Sequence, residues 1–304
     1  MITSILCEAF SCFGVGLCIT CEARKLFKPN ENYPYAVKDS KGLYMRGREA
    51  TAWKRKQRAI EALACLKLAG HNLKLGLLID VGCGLGYLTR YFLDLGIKAV
   101  GVDISKENVK FAKKKIAPNG SFILANGVKL PFRDKCFTTV ILNDVLEHVP
   151  YYLAHPMLNE VKRILKVDGK LYISVANRYQ IREPHTLIPF LTWLPRPCWN
   201  PICRLIRKRQ YRNYYPYTLG MLEKLCRKVG LIFNNYTWFY ARNKTSNIEH
   251  IGDPTLRKLV EIIWKLKLSK LAYVIAEKVS VILFICKKGK LNNLDDFHSI
   301  NRKH

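Results

Sequence analysis

Leu77-Leu78-Ile79-Asp80-Val81-Gly82-Cys83-Gly84-Leu85-Gly86-Tyr87 is the stretch on which the fold turns. Leu77 to Val81 is a short apolar run of strand character. Glycines follow at alternate positions, and helical spacing begins at Leu85. A strand that passes through a tight glycine turn into a helix gathers unpaired backbone N–H groups and the positive end of the helix dipole at one point. Glycine is needed there because a Cβ would hold a ligand away from the backbone.

Outward from this turn, strands alternate with helices. Ala99 to Asp103 reads as a second strand, and Ser105 caps a helix running to Ile116. Ser121 to Ala125 and Phe137 to Asn143 read as the third and fourth strands. Tyr151 to Lys166 is helical, and Asp168-Gly169 turns into a fifth strand, Lys170 to Ala176. A helix over residues 45 to 69 precedes them all. The alternation predicts an α/β fold with a parallel sheet covered on both faces.

The regularity stops at Asn177. Residues 178 to 216 are rich in proline and aromatic side chains and carry no acid after Glu183. They are too long for an ordinary connection and are expected to form a lid or substrate-binding insertion. A helix near Tyr217 to Lys228 and a strand near Leu231 to Tyr240 resume the pattern. A second insertion, 241 to 278, has apolar positions at helical spacing from Leu256 to Leu271, flanked by Arg257, Lys258, Lys265 and Lys270. Such a stripe faces a core or lies on an anionic membrane. Val279 to Cys286 closes the sheet. The domain is thus expected over 45 to 290, between a leader, 1 to 44, and a tail, 291 to 304.

Asp103 ends the second strand, 21 residues after Gly82. An acid there can accept hydrogen bonds from ribose hydroxyls, so turn and acid together point to an adenosine-containing cofactor. A dinucleotide turn has its third glycine at the sixth place. Here Gly86 holds the fifth place and Tyr87 the sixth. Asp80 would repel a pyrophosphate but can hold an ammonium group. These charges favour S-adenosylmethionine (SAM) over a nicotinamide dinucleotide.

Ile79 to Gly86 resembles the first motif of class I SAM-dependent methyltransferases. Asn126-Gly127-Val128-Lys129-Leu130-Pro131-Phe132 resembles the family's third-strand loop, and Phe137 to Val149, with Leu146-Glu147-His148-Val149, its fourth strand and following turn. Asp168 to Ser174 resembles its fifth strand. The likeness is good over residues 45 to 177 and loose beyond, and it is closest to the branch acting on small molecules and on quinone or lipid precursors. It implies a Rossmann-like seven-stranded sheet in the order 3-2-1-4-5-7-6, with strand 7 antiparallel. Two positions depart from the pattern: Asn126 stands where the family usually has Asp, and Phe137-Thr138 where it has Phe-Asp.

By this resemblance Asp80, Gly82, Cys83, Gly84 and Gly86 cradle the methionine end of SAM. Asp103 holds the ribose, and Ile104 lies against the adenine. Asn126 and Gly127 meet the adenine edge, and Asn143 lies near the sulfonium. Methyl transfer is a displacement at an activated carbon, so alignment is the main task. A base is needed only where the acceptor must lose a proton. His148 and His185 are the candidate catalytic bases; the competing reading of each is a structural histidine in its turn or loop.

The chain has 304 residues and a formal net charge of +28. That field favours anionic partners. The small-molecule or lipid-precursor acceptor is the leading reading. An RNA methyltransferase is the alternative raised by the charge, against which stands the lack of an appended RNA-binding motif and of an Asn-Pro-Pro-aromatic tetrad. The third reading is a non-catalytic SAM-binding or membrane-associated partner protein. No apolar run reaches the roughly 18 residues of a spanning helix. Ile2 to Thr20 is apolar but holds Glu8 and lacks the basic start of a signal peptide. Cys18 and Cys21 form one CxxC near Cys7 and Cys12, too little for a zinc site, so no metal is expected. Cys65, Cys136, Cys226 and Cys286 read as small buried hydrophobes in a reducing setting. These features predict a cytoplasmic protein with peripheral contact to membranes.

Overall fold

The computed structural model describes residues 48–208, 210–211, 214–237, 258, 262 and 281–289. The expected leader, most of the second insertion, the tail and the CxxC lie outside these residues. Helix α1 (Arg48–Leu68) leads into the sheet. Strands and helices then alternate: β1 (Leu78–Val81), α2 (Tyr87–Asp94), β2 (Ala99–Asp103), α3 (Lys106–Phe111), β3 (Ser121–Leu124), β4 (Phe137–Asn143), α4 (Tyr151–Ile164) and β5 (Leu165–Val175). The insertion contributes α5 (Trp199–Arg207), and α6 (Leu219–Val229), β6 (Leu231–Asn235) and β7 (Ile282–Lys288) complete the described fold.

The sheet has seven strands in the order β3-β2-β1-β4-β5-β7-β6. β7 is antiparallel to both of its neighbours. The expected order and the one reversed strand are both present. β1 is buried along its whole length, as a central parallel strand must be. Residues facing one side, such as Ile79, Val140, Leu142, Leu171 and Ile173, join Leu158 and Val161 of α4 and Leu222 and Cys226 of α6 in the main core.

Local chemistry sets the boundaries. Gly86 sits in the left-handed region at φ 85°, so α2 begins at Tyr87 rather than at Leu85. The Ser105 hydroxyl accepts from the Asn108 N–H and caps α3 as expected. That helix ends at Phe111 and continues to Ile116 as a wider turn. β5 starts earlier than the Asp168-Gly169 turn predicts. Leu165 pairs with Phe137 and Lys170 with Thr139, so Lys166 to Gly169 form a bulge within one strand. Thr138, which departs from the family pattern, donates from both its backbone N–H (3.0 Å) and its hydroxyl (3.1 Å) to the Leu77 carbonyl. Cys136 is half-buried, not core, and its thiol lies 3.1 Å from the Arg133 carbonyl.

Candidate functional site

The chain runs outward in opposite directions from β1 and β4, so the crevice at their C-terminal ends is the switch point where open α/β sheets bind ligands. The glycine turn lies there. Gly84 has φ 55°, and a Cβ built on it would meet no atom within 4 Å. It therefore borders open space beside the backbone. Gly86 serves packing instead, since its Cβ would come within 2.8 Å of Ala112 and Phe122. The Cys83 side chain joins a small core with Val109, Ala112, Ala117 and Phe122, so only its backbone can face the crevice. Gly82 is exposed.

The two acids of the crevice are buried and held differently. The Thr89 hydroxyl donates to Asp80 Oδ2 at 2.6 Å. Burial pushes the Asp80 carboxyl up to about 6, against that hydrogen bond and the charge of Arg55. A cation arriving beside it would stabilise the carboxylate and lower that value again. Asp103 Oδ2 accepts from the Gly84 N–H at 2.7 Å. Its Oδ1 accepts from the Ser105 N–H (2.9 Å) and Asn108 Nδ2 (3.1 Å). A carboxylate has about four lone-pair sites. Three are in use, so one, on Oδ2, remains for a ribose hydroxyl. Bonds to both hydroxyls, as expected from sequence, require Asn108 to release Oδ1.

Beyond Asp103, Ile104 is 70% exposed and Leu124 51% exposed, an apolar pair open to a flat ring. Asn126 is exposed, and its Oδ1 accepts from the Val128 N–H at 3.1 Å, keeping one lone pair for another donor. Gly127 is half-buried with Met157 beside it.

At the end of β4 Asn143 is buried, and its Oδ1 has no hydrogen-bond partner among the described residues. Its Nδ2 donates to Asp144 Oδ2 at 3.3 Å. Asp144 has φ 53° and receives the Arg55 and Arg58 guanidiniums at 3.3 and 3.4 Å and the Ser174 hydroxyl at 2.9 Å. Burial alone would raise its carboxyl, but the two arginines hold it below the usual range. Glu147 is 3% exposed, its Oε2 is unpartnered, and burial beside the Asp144 charge pushes it up to about 8. Its protonated form is therefore favoured more than that of an ordinary glutamate.

The two candidate histidines, 37 residues apart in sequence, come together. Their ring centroids are 5.7 Å apart, and Tyr214 lies 5.9 Å from His148 and 4.9 Å from His185. The insertion is tied down at its C-terminal end. Tyr217 N–H donates to Ala176 O, Tyr215 N–H to Glu147 O, and the Tyr151 hydroxyl to Pro216 O. His185 is carried on a turn organised by buried Glu183, whose Oε2 accepts from the His185 and Thr186 N–H groups. His148 keeps an exposed edge. Burial of the rest of the ring, then the His185 charge, lowers its pKa below the usual 6.5. It is thus an unprotonated base at neutral pH. Among the described residues no group of three or more His, Cys, Asp or Glu is arranged to hold a metal.

Asp144, Glu147, Glu183 and Tyr214 were not singled out from sequence. Asp144 lies two residues before the Leu146-Glu147-His148-Val149 motif and Glu147 lies within it, where the sequence points only to the histidine. The arginines that hold Asp144 sit on α1, in the basic stretch Lys54 to Arg58.

The family described as "Methyltransferase domain" matches residues 79–173, the segment from β1 to β5. Over residues 79–173 the chain is similar to a methyltransferase domain. An uncharacterized protein of Methanocaldococcus jannaschii is 39% identical over 39% of this chain and 48% of its own length. An uncharacterized methyltransferase of Mycobacterium leprae is 33% identical over 32% of this chain and 36% of its own. The ubiquinone biosynthesis O-methyltransferase of Bartonella tribocorum is 24% identical over 59% of this chain and 72% of its own. The chain thus spans about half or less of the archaeal and mycobacterial relatives. The matched segment holds the glycine turn, Asp103 and His148, while His185, Glu183 and Tyr214 come from the insertion that follows it.

Proposed function

We propose that this chain transfers a methyl group from SAM to a small-molecule acceptor of the lipid- or quinone-precursor type. The observation that carries the proposal is the pairing, across one crevice, of an adenosine-type cradle with a histidine pair. The cradle has an open Gly84, a buried Asp80 carboxyl and a free lone pair on Asp103. It fits SAM, which brings an ammonium group, a ribose and an adenine, and supplies a methyl group on a cationic sulfur. In this reading Asp80 answers the ammonium, Asp103 Oδ2 a ribose hydroxyl, Ile104 and Leu124 the adenine faces, and Asn126 and Gly127 its edge. Gly82 and the backbones of Cys83 and Gly84 line the methionine end, while Gly86 sets the turn from below. Asn143, with its unpartnered buried Oδ1, sits nearest the reacting end.

His148, held neutral, takes the proton of a hydroxyl or amine acceptor. His185 and Tyr214 are positioning residues that keep its ring in place. Residues 178 to 216 cover the acceptor and exclude water, which strengthens every electrostatic contact beneath them. The likeness to a ubiquinone biosynthesis O-methyltransferase supports this acceptor class. Methylation of RNA is the second reading, favoured only by the charge of +28.

The test is incubation of the protein with SAM carrying a radiolabelled methyl group, offered separately a lipid extract, phenolic quinone precursors and bulk tRNA. Label in the organic phase is expected. Label in RNA replaces the acceptor class, and SAM binding without transfer to any of the three replaces catalysis with a binding role.

A further inference from the structure

The insertion exposes large apolar side chains that the catalytic reading does not use. Tyr179, Phe190, Trp193, Leu194, Leu205 and Ile206 all stand out from the surface, Leu205 at 83% exposure. They are not left over from a failed core. The insertion has its own core of Ile188, Leu191, Trp199 and Cys203, against which α5 packs. On α5, Trp199 and Cys203 face inward, Ile202, Leu205 and Ile206 share one flank, and Arg204 and Arg207 occupy the other, with exposed Lys208 just past the helix end. Leu187 and Phe190 hold left-handed backbone conformations at φ 59° and 57°. Such conformations are uncommon and costly for non-glycine residues, and they tend to mark functional surfaces. Here the strain falls on side chains displayed at 54% and 47% exposure.

We propose that this face of the insertion docks on an anionic lipid bilayer. Charge selects that occupant. From Pro184 to Lys208 the chain holds Arg196, Arg204, Arg207 and Lys208 and no Asp or Glu. A second copy meeting the same face symmetrically would bring Arg204, Arg207 and Lys208 against their own counterparts. A layer of anionic headgroups over hydrocarbon matches both the charge and the apolar tips, as for helices that lie in the membrane interface. The docking is independent of the catalytic reading. If that reading holds, the same insertion carries His185, so docking brings the crevice to the bilayer surface where an apolar acceptor is dissolved.

The test is co-sedimentation of the whole chain with vesicles of phosphatidylcholine alone and of phosphatidylcholine mixed with phosphatidylglycerol. The variants are Leu205→Glu/Ile206→Glu, Arg204→Gln/Arg207→Gln and, as a control for diffuse charge, Lys113→Glu/Lys114→Glu. All changed residues are exposed, and thermal melts verify folding. The expected result is binding to the mixed vesicles only, weakened about tenfold or more by each insertion variant. The control should lose markedly less. Absence of binding by the folded wild type overturns the proposal. So does a loss in the control equal to that in the insertion variants, or light scattering that shows a dimer dissociated by Leu205→Glu/Ile206→Glu. SAM binding measured on the same variants stays at the wild-type level, so failure to dock is distinguished from failure of the catalytic reading.

Discussion

Asp103→Ala offers the sharpest test of the cofactor cradle. The native carboxylate accepts from the Gly84 N–H, the Ser105 N–H and Asn108 Nδ2, which leaves one lone pair, on Oδ2. Loss of a single charge-assisted bond to ribose costs ~1.5–3 kcal/mol. By calorimetric titration the substitution should therefore weaken SAM about 10- to 150-fold. The variant also strands two backbone N–H groups, so its melting temperature should fall, and titration belongs well below that temperature. Asn108→Ala is the counterpart. It removes the amide that occupies Oδ1 and opens a second site for ribose, so affinity should hold or improve. The reasoning fails if folded Asp103→Ala binds SAM within about twofold of wild type. It fails equally if Asn108→Ala weakens binding as much as Asp103→Ala does, because the amide would then be a ligand contact.

Two glycines of one turn should separate ligand access from packing. Gly84→Ala meets open space, so it should cost roughly 1 kcal/mol of backbone strain in a thermal melt yet obstruct SAM in titration. Gly86→Ala puts a methyl 2.8 Å from Ala112 and Phe122 and should destabilise the fold far more. Glu147 is raised from 4.5 to about 8, so its contribution to stability is complete below pH 4.5 and is lost as pH climbs to about 8. Denaturant titrations of Glu147→Gln should lack that loss; parallel pH profiles for the two proteins would show that Glu147 ionises normally. His148 titrates below 6.5, so the methyl-transfer rate should fall as pH drops through that region and His148→Gln should abolish the limb. An unchanged pH–rate profile in His148→Gln would assign the base elsewhere.

The class of fold and the glycine turn with its acid were legible in one dimension because both are local. Strand, glycine turn, helix and a second strand ending in Asp103 occupy one continuous run, and period and spacing alone expose them. Ser105 capped its helix as read, and the reversed last strand followed from the family likeness. The meeting of the two histidines was not legible, since it is made by contacts distant in sequence. His185 meets His148 only because Tyr215 and Tyr217 bind the insertion back onto Glu147 and Ala176. Arg55 and Arg58 reach across to Asp144 from the first helix. The ionisation of Glu147 and His148 depends on burial and neighbouring charge, quantities that exist only once the chain has closed. Even at Asp103 the sequence named the acid, but only the folded crevice decided that three of its lone pairs are already taken.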